Sequence, residues 1–98
     1  MGEFYILDGR DIRKVDIITW AKWFEKTERH VADDFVGDVR VSTVFLGINH
    51  NFGDGVPLLF ETIVFDGQHD GEMKRYSTWQ EAEDGHKTIL TKIKEGKE

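Results

Sequence analysis

The residues able to do chemistry in this sequence gather between Ser42 and His86. Asn49-His50-Asn51, followed by Gly53-Asp54-Gly55, sets neutral hydrogen-bonding side chains beside glycines whose bare backbone lets N–H groups approach an anion closely. Such a loop can hold a small polar ligand. The same residue types also make any tight connection, with His50 capping a backbone group. Glu61 interrupts the apolar run LLFETIVF, and a carboxylate in that setting needs a partner or a wet pocket. Arg40, Arg75 and His86 are the available partners, which makes Glu61 a structural ion pair, a ligand acceptor or a general base. His86 falls on the apolar face of a C-terminal helix, either as a hydrogen-bonded core histidine or as a wall of a polar pocket near His50 or Glu61. Ser42 and Thr43 pair with Thr62 across neighbouring strands, or else floor a pocket. To that pocket Arg75 would bring a cation for phosphate and Tyr76 a ring for base stacking.

The patterns that would make these residues an enzyme site or a metal centre are missing. The histidines (His30, His50, His69, His86) show no HxH or HExxH spacing, and there is no cysteine, so neither a metal nor any other cofactor is implied. GxxxxGK[ST] and GxSxG do not occur. The net charge is −6, and residues 35–72 hold six acidic residues against the single base Arg40. No basic stripe exists to neutralise phosphates along a duplex, which argues against general nucleic-acid binding. The acidic middle is a solvated surface or a mimic of nucleic acid towards a basic partner. No basic n-region with an apolar stretch opens the chain and no 18-residue apolar run occurs, so a cytoplasmic protein without a membrane span is expected.

Elements must position these residues. Two apolar runs rich in Val, Ile, Phe and Thr, Val39–Ile48 and Pro57–Phe65, read as strands covered on two faces and hence as the middle of a sheet. Glu3–Asp8 is a short strand ended by Asp8-Gly9, and Arg10–Val15 a charged connection. Asp16 caps a helix whose Ile17, Trp20, Ala21 and Phe24 share one face. Residues 29–36 are a helix end or an edge strand, and Met73–Tyr76 one more strand. Ser77 and Thr78 open a last helix with capping-box spacing to Gln80 and Glu81, its Trp79, Ala82, His86, Ile89 and Ile93 recurring at the helical period. Gly85 within that helix marks close packing on the sheet. The expected fold is a single α+β domain over 1–98, a small antiparallel sheet in the order β-α-(β)-β-β-β-α with two amphipathic helices packed on one face. The other face then lacks a cover, and a second copy of the chain, as a homodimer or higher homo-oligomer, is the simplest one.

The string VSTVFLGINHNFGDGVPLLFETIVF, preceded by YILDGR and WAKWFE and followed by RYSTWQEAEDGH, resembles a family of short bacteriophage and prophage proteins. Their pattern runs VSTVFLGxxHxFxxGxPLLFETMVF and then RYSTWEEAEAGH. Ile63 stands where methionine is usual and Val56 where proline is frequent. The likeness covers Phe4 to about Ile93. It implies a phage context and the cytoplasm of an infected host cell, and it names no activity.

Two binding roles and one enzymatic role follow as expectations. The first is a non-catalytic counter-defence protein that sequesters a nucleotide-derived small molecule, with Ser42, Thr43, Asn49, His50, Asn51, Glu61, Arg75, Tyr76 and His86 as its ligand-binding residues. The second is an inhibitor of a host defence protein, acting through the acidic central segment. A small hydrolase using Glu61 with His86 or His50 comes third.

Overall fold

In the computed structural model, which describes residues 3–49 and 55–96, the chain runs β1 (Phe4–Asp8), β2 (Asp11–Val15), α1 (Ile17–Lys26), β3 (His30–Val36), β4 (Val39–Phe45), β5 (Phe60–Phe65), β6 (Met73–Tyr76) and α2 (Trp79–Glu95). β1 and β2 form a two-stranded hairpin, and β3-β4-β5-β6 a four-stranded antiparallel sheet with β4 and β5 at its centre. The α+β class and the small antiparallel sheet with two helices are therefore observed. One part of the expected order changes, and one choice left open is settled. Arg10–Val15 is not a connection, because Asp11–Val15 is a strand in register with β1. Its alternation is hard to read because only Ile12 and Val15 are even partly buried. Residues 29–36 resolve as a strand, with a bulge between His30 and Ala32.

Side-chain alternation sorts the large sheet into two faces. Val41 and Phe45 of β4, Phe60 and Val64 of β5 and Tyr76 of β6 point towards α2, whose Ala82, His86, Ile89 and Ile93 are buried against them. Burying a side chain of this size contributes about 2 kcal/mol, so this layer is the main source of stability. Thr78 starts α2 with a complete capping box, its hydroxyl accepting from Glu81 N at 3.1 Å while Glu81 Oε1 accepts from Thr78 N at 3.2 Å. Gly85 is required in α2 because a Cβ there would collide with the ring and hydroxyl of Tyr76.

α1 packs mainly on β1 and reaches the large sheet through Trp23, edge-on to Phe45 at 5.6 Å. Its inward residues are Trp20, Trp23 and Phe24, none fully buried, whereas Ile17 and Ala21 of the expected stripe are exposed. The two-stranded hairpin beneath is too narrow to cover a whole helical face. Tyr5 N donates to Gly47 O at 2.7 Å and so ties the hairpin to the end of β4. A Cβ at Gly47 (φ +76°) would lie 2.5 Å from Trp20 Nε1 and 2.9 Å from Tyr5 O, so this junction admits only glycine.

Candidate functional site

The sheet separates the residues expected to share a pocket. Consecutive residues of a strand face opposite sides, so Thr43 points to α2 and Ser42 away from it, Thr62 to α2 and Glu61 away, Tyr76 to α2 and Arg75 away. His50 and Asn51 lie outside the described residues. Asn49 is engaged at the ends of the 46–59 connection, where its Oδ1 accepts from Leu58 N at 3.0 Å and its Nδ2 donates to Glu3 Oε1 at 3.0 Å.

On the helix side stands a buried polar chain. His86 Nε2 is 2.8 Å from Asp34 Oδ2, and His86 Nδ1 is 2.7 Å from Thr43 Oγ1, which is 2.5 Å from Thr62 Oγ1. With Nε2–H donating to Asp34, Nδ1 accepts the Thr43 hydroxyl and Thr43 accepts that of Thr62, so every member is satisfied. An acid, a histidine and a hydroxyl in sequence have the order of a nucleophilic triad. Here the hydroxyls of Thr43 and Thr62 are 0% exposed, and no substrate reaches them. The chain bonds α2 to β3, β4 and β5. Asp34 is the member that sequence reasoning missed, and an Asp in an edge strand of unsettled type gives no signal for it.

On the opposite side Arg75 Nε donates at 3.0 Å to Oε2 of Glu61, its direct cross-strand partner, and Glu61 is thereby partnered in its apolar strand. Arg40 makes a two-pronged pair with Asp33, both contacts at 2.8 Å. That guanidinium holds the Asp33 carboxyl below the usual carboxylate range. Between and around these pairs the face is apolar. Phe35, Phe65 and Met73 are 66%, 41% and 49% exposed, with Val44 and Ile63 half-buried beside them. No described element packs over them.

A third feature is an open cleft of about 500 Å³ between β6 and the first turns of α2, lined by Lys74, Arg75, Tyr76, Asp84, Gly85 and Thr88 among others. Of the described ligand residues expected from sequence, Arg75 and Tyr76 line it, and the Arg75 side chain leaves it for Glu61 on the opposite face. Tyr76 is 6% exposed, its ring packed over Gly85. Burial pushes its pKa up, an effect that the nearby Thr62 hydroxyl only partly offsets. Its flat face is not open for a base to stack on.

No family model matches the chain, and comparison with curated proteins and with solved structures finds no match either. What the fold and surfaces define is a small α+β domain whose sheet, among the described residues, is covered by helix on one side only. No helix among the described residues is long and apolar enough to cross a membrane.

Proposed function

We propose that this chain is a non-catalytic protein-binding module, of the phage accessory kind its sequence resembles, and that it binds through the open face of its four-stranded sheet. One observation carries the proposal: Phe35, Phe65 and Met73 stand exposed together on a face that no described part of the chain covers. Apolar groups gathered on one exposed face mark an interaction surface far more often than isolated ones do. Thr43, Thr62 and His86 support the same view, because they are bonded to one another inside the fold, and so does Glu61, which is taken up by Arg75.

A second copy is the occupant that the charges favour. Arg40 is matched by Asp33 and Arg75 by Glu61 on this face, so two copies of an otherwise acidic molecule meet there without opposing like charges. Four strands at about 4.8 Å spacing and six residues at about 3.4 Å give a footprint of roughly 20 by 20 Å, at the small end of specific interfaces. The dimer is accordingly expected to dissociate in the micromolar range. Sedimentation velocity from about 1 to 200 μM tests it. Wild type should pass from monomer to dimer, and the Phe35→Ser/Phe65→Ser variant should stay monomeric with an unchanged circular dichroism spectrum. A wild type that is monomeric throughout assigns the face to a different protein.

The expected counter-defence role, sequestering a nucleotide-derived molecule, keeps one specific support in the cleft beside Lys74. Thermal unfolding with a panel of cyclic and ADP-ribose-derived nucleotides separates it from protein binding. A ligand present at 100 times its Kd adds about 2.7 kcal/mol and raises the midpoint by several degrees. The acidic central segment has less to offer a basic host protein. Glu61 is paired with Arg75, and Glu72 with Lys92 and His69.

A further inference from the structure

We infer that the outer edge of β6, together with the cleft beside it, is an acceptor for an extended peptide segment that carries an acidic residue. This extends the protein-binding role to a second surface and does not depend on the dimer. The hydrogen-bond phase of the sheet shows which groups are available. Val64 N donates to Glu72 O at 3.0 Å and Leu59 N to Tyr76 O at 2.8 Å. Glu72 gives β5 only its C=O, its own N–H going to His69 O while Gly71 N donates to Val64 O. In an antiparallel ladder, alternate residues turn both backbone groups to the same neighbour, so Lys74 and Tyr76 bond to β5. Met73 and Arg75 therefore turn their N–H and C=O groups outward, where no backbone partner meets them among the described residues. Such a row is a template for one more strand.

The surroundings make this edge receptive. The cleft runs alongside it, walled by α2 at Asp84, Gly85 and Thr88. The opposite edge, β3, is broken by its bulge and carries the adjacent acids Asp33 and Asp34, both devices that blunt an edge.

Charge selects the occupant. Lys74 makes no ion pair among the described residues, only a contact with the Tyr76 ring at 5.9 Å. A second β6 is a poor guest. In the antiparallel register that bonds the outward groups of Met73 to those of Arg75 in the copy, Lys74 would stand directly across from its own copy. An unlike strand with Glu or Asp at that position meets Lys74 favourably. The acids on the helix wall are already engaged, Glu81 accepting from Ser77 N and Thr78 N and Asp84 from Gln80 Nε2.

The test uses two capped heptapeptides of alternating Thr and Val, one with Glu and one with Lys at the centre, titrated into the isotopically labelled wild-type chain. The Glu peptide should shift the amide resonances of Met73 and Arg75 and slow their hydrogen exchange. Lys74 and Tyr76, already bonded to β5, should change little. The Lys peptide should bind about fivefold more weakly, and Lys74→Glu should invert that preference. Unchanged exchange at Met73 and Arg75 with either peptide at millimolar concentration overturns the inference. So does a preference that Lys74→Glu leaves in place, or a response confined to Phe35 and Phe65 on the open face.

Discussion

His86 Nδ1 stands 2.7 Å from Thr43 Oγ1, a bond between the middle of α2 and the middle of the sheet with both residues out of reach of water. Its two ends differ in surroundings. Thr62 is fully buried, whereas the Asp34 side chain is 52% exposed. A bond whose partner can turn to water is worth less than one whose loss strands a buried group. His86→Ala should therefore cost about 3 kcal/mol, from the cavity and the unpaired hydroxyl together. That lowers the thermal midpoint by at least about 10 °C for a domain of this size. Asp34→Asn keeps an oxygen acceptor at the exposed end and should cost under about 1 kcal/mol. Urea unfolding of the two variants checks the order; equal losses would mean that the charge of Asp34, and not the buried bond, holds the helix.

Tyr76 and Gly85 form the second tight relationship. The Tyr76 hydroxyl is buried with no hydrogen-bond partner at good geometry among the described residues. Tyr76→Phe should accordingly be neutral or stabilise by up to about 1 kcal/mol, which removes an unsatisfied group at no loss of packing. Gly85→Ala should destabilise by about 1–2 kcal/mol, although helix propensity alone would favour alanine by about 1. Combining the two should not restore stability, because Cε1 and Cζ of the ring, and not only its oxygen, occupy the place of the new Cβ. Chemical denaturation of the three variants settles this.

These relationships also show how far the sequence could be read. Helix α2 was legible in full, since Ala82, His86, Ile89 and Ile93 share one period and Thr78 with Glu81 announces the cap. The central strands were legible from their β-branched runs. Strand β2 was not, because a hairpin at the surface buries so little that charge hides its alternation. Nor was the inward face of α1, since the partner's width, which the helix sequence does not contain, decides which residues are covered. The candidate site failed for a simpler reason. Ser42 and Thr43, Glu61 and Thr62, and Arg75 and Tyr76 are neighbours in sequence, and a strand sends such neighbours to opposite faces. Once the strands were assigned, that separation was available from the two-residue period alone. Asp34 could be found only from the fold.

Acid should weaken the protein through three carboxylates in particular. The Asp33 pKa is lowered by its hydrogen bonds from Arg40, that of Glu72 by Lys92, and that of Asp16 by the Thr19 backbone N–H at the start of α1. Each folded carboxyl holds its proton less tightly than the unfolded one. Their contribution is thus present above the ordinary carboxylate range and is lost as pH falls through about 4 towards the depressed values. The urea midpoint should be level from about pH 7 to 5 and drop below about 4. Asp33→Asn should flatten part of the drop, and 1 M salt should reduce it because these pairs are exposed. At the alkaline end the sign reverses. Burial raises the Tyr76 pKa, so its contribution is whole below about 10 and disappears as pH climbs through the folded value.

The phase of β6 gives the sharpest contrast between adjacent residues. Met73 turns its N–H to the outside of the sheet and Lys74 turns its own to β5, by the alternation that Glu72 and Tyr76 establish. Proline lacks that hydrogen and is tolerated in a strand only at an edge, where the missing donor faces out, or at a first residue. Met73 meets both conditions. Met73→Pro should therefore cost under about 1 kcal/mol, while Lys74→Pro removes a ladder bond and should cost about 3 kcal/mol or more. Urea unfolding of both variants, with Lys74→Ala as the side-chain control, measures the difference. If the two prolines cost the same, the outward row at Met73 and Arg75 is misassigned and the acceptor edge falls with it. If they differ as stated, Met73→Pro also becomes a folded variant with one docking donor removed, and it should bind the Glu-centred peptide more weakly than wild type does.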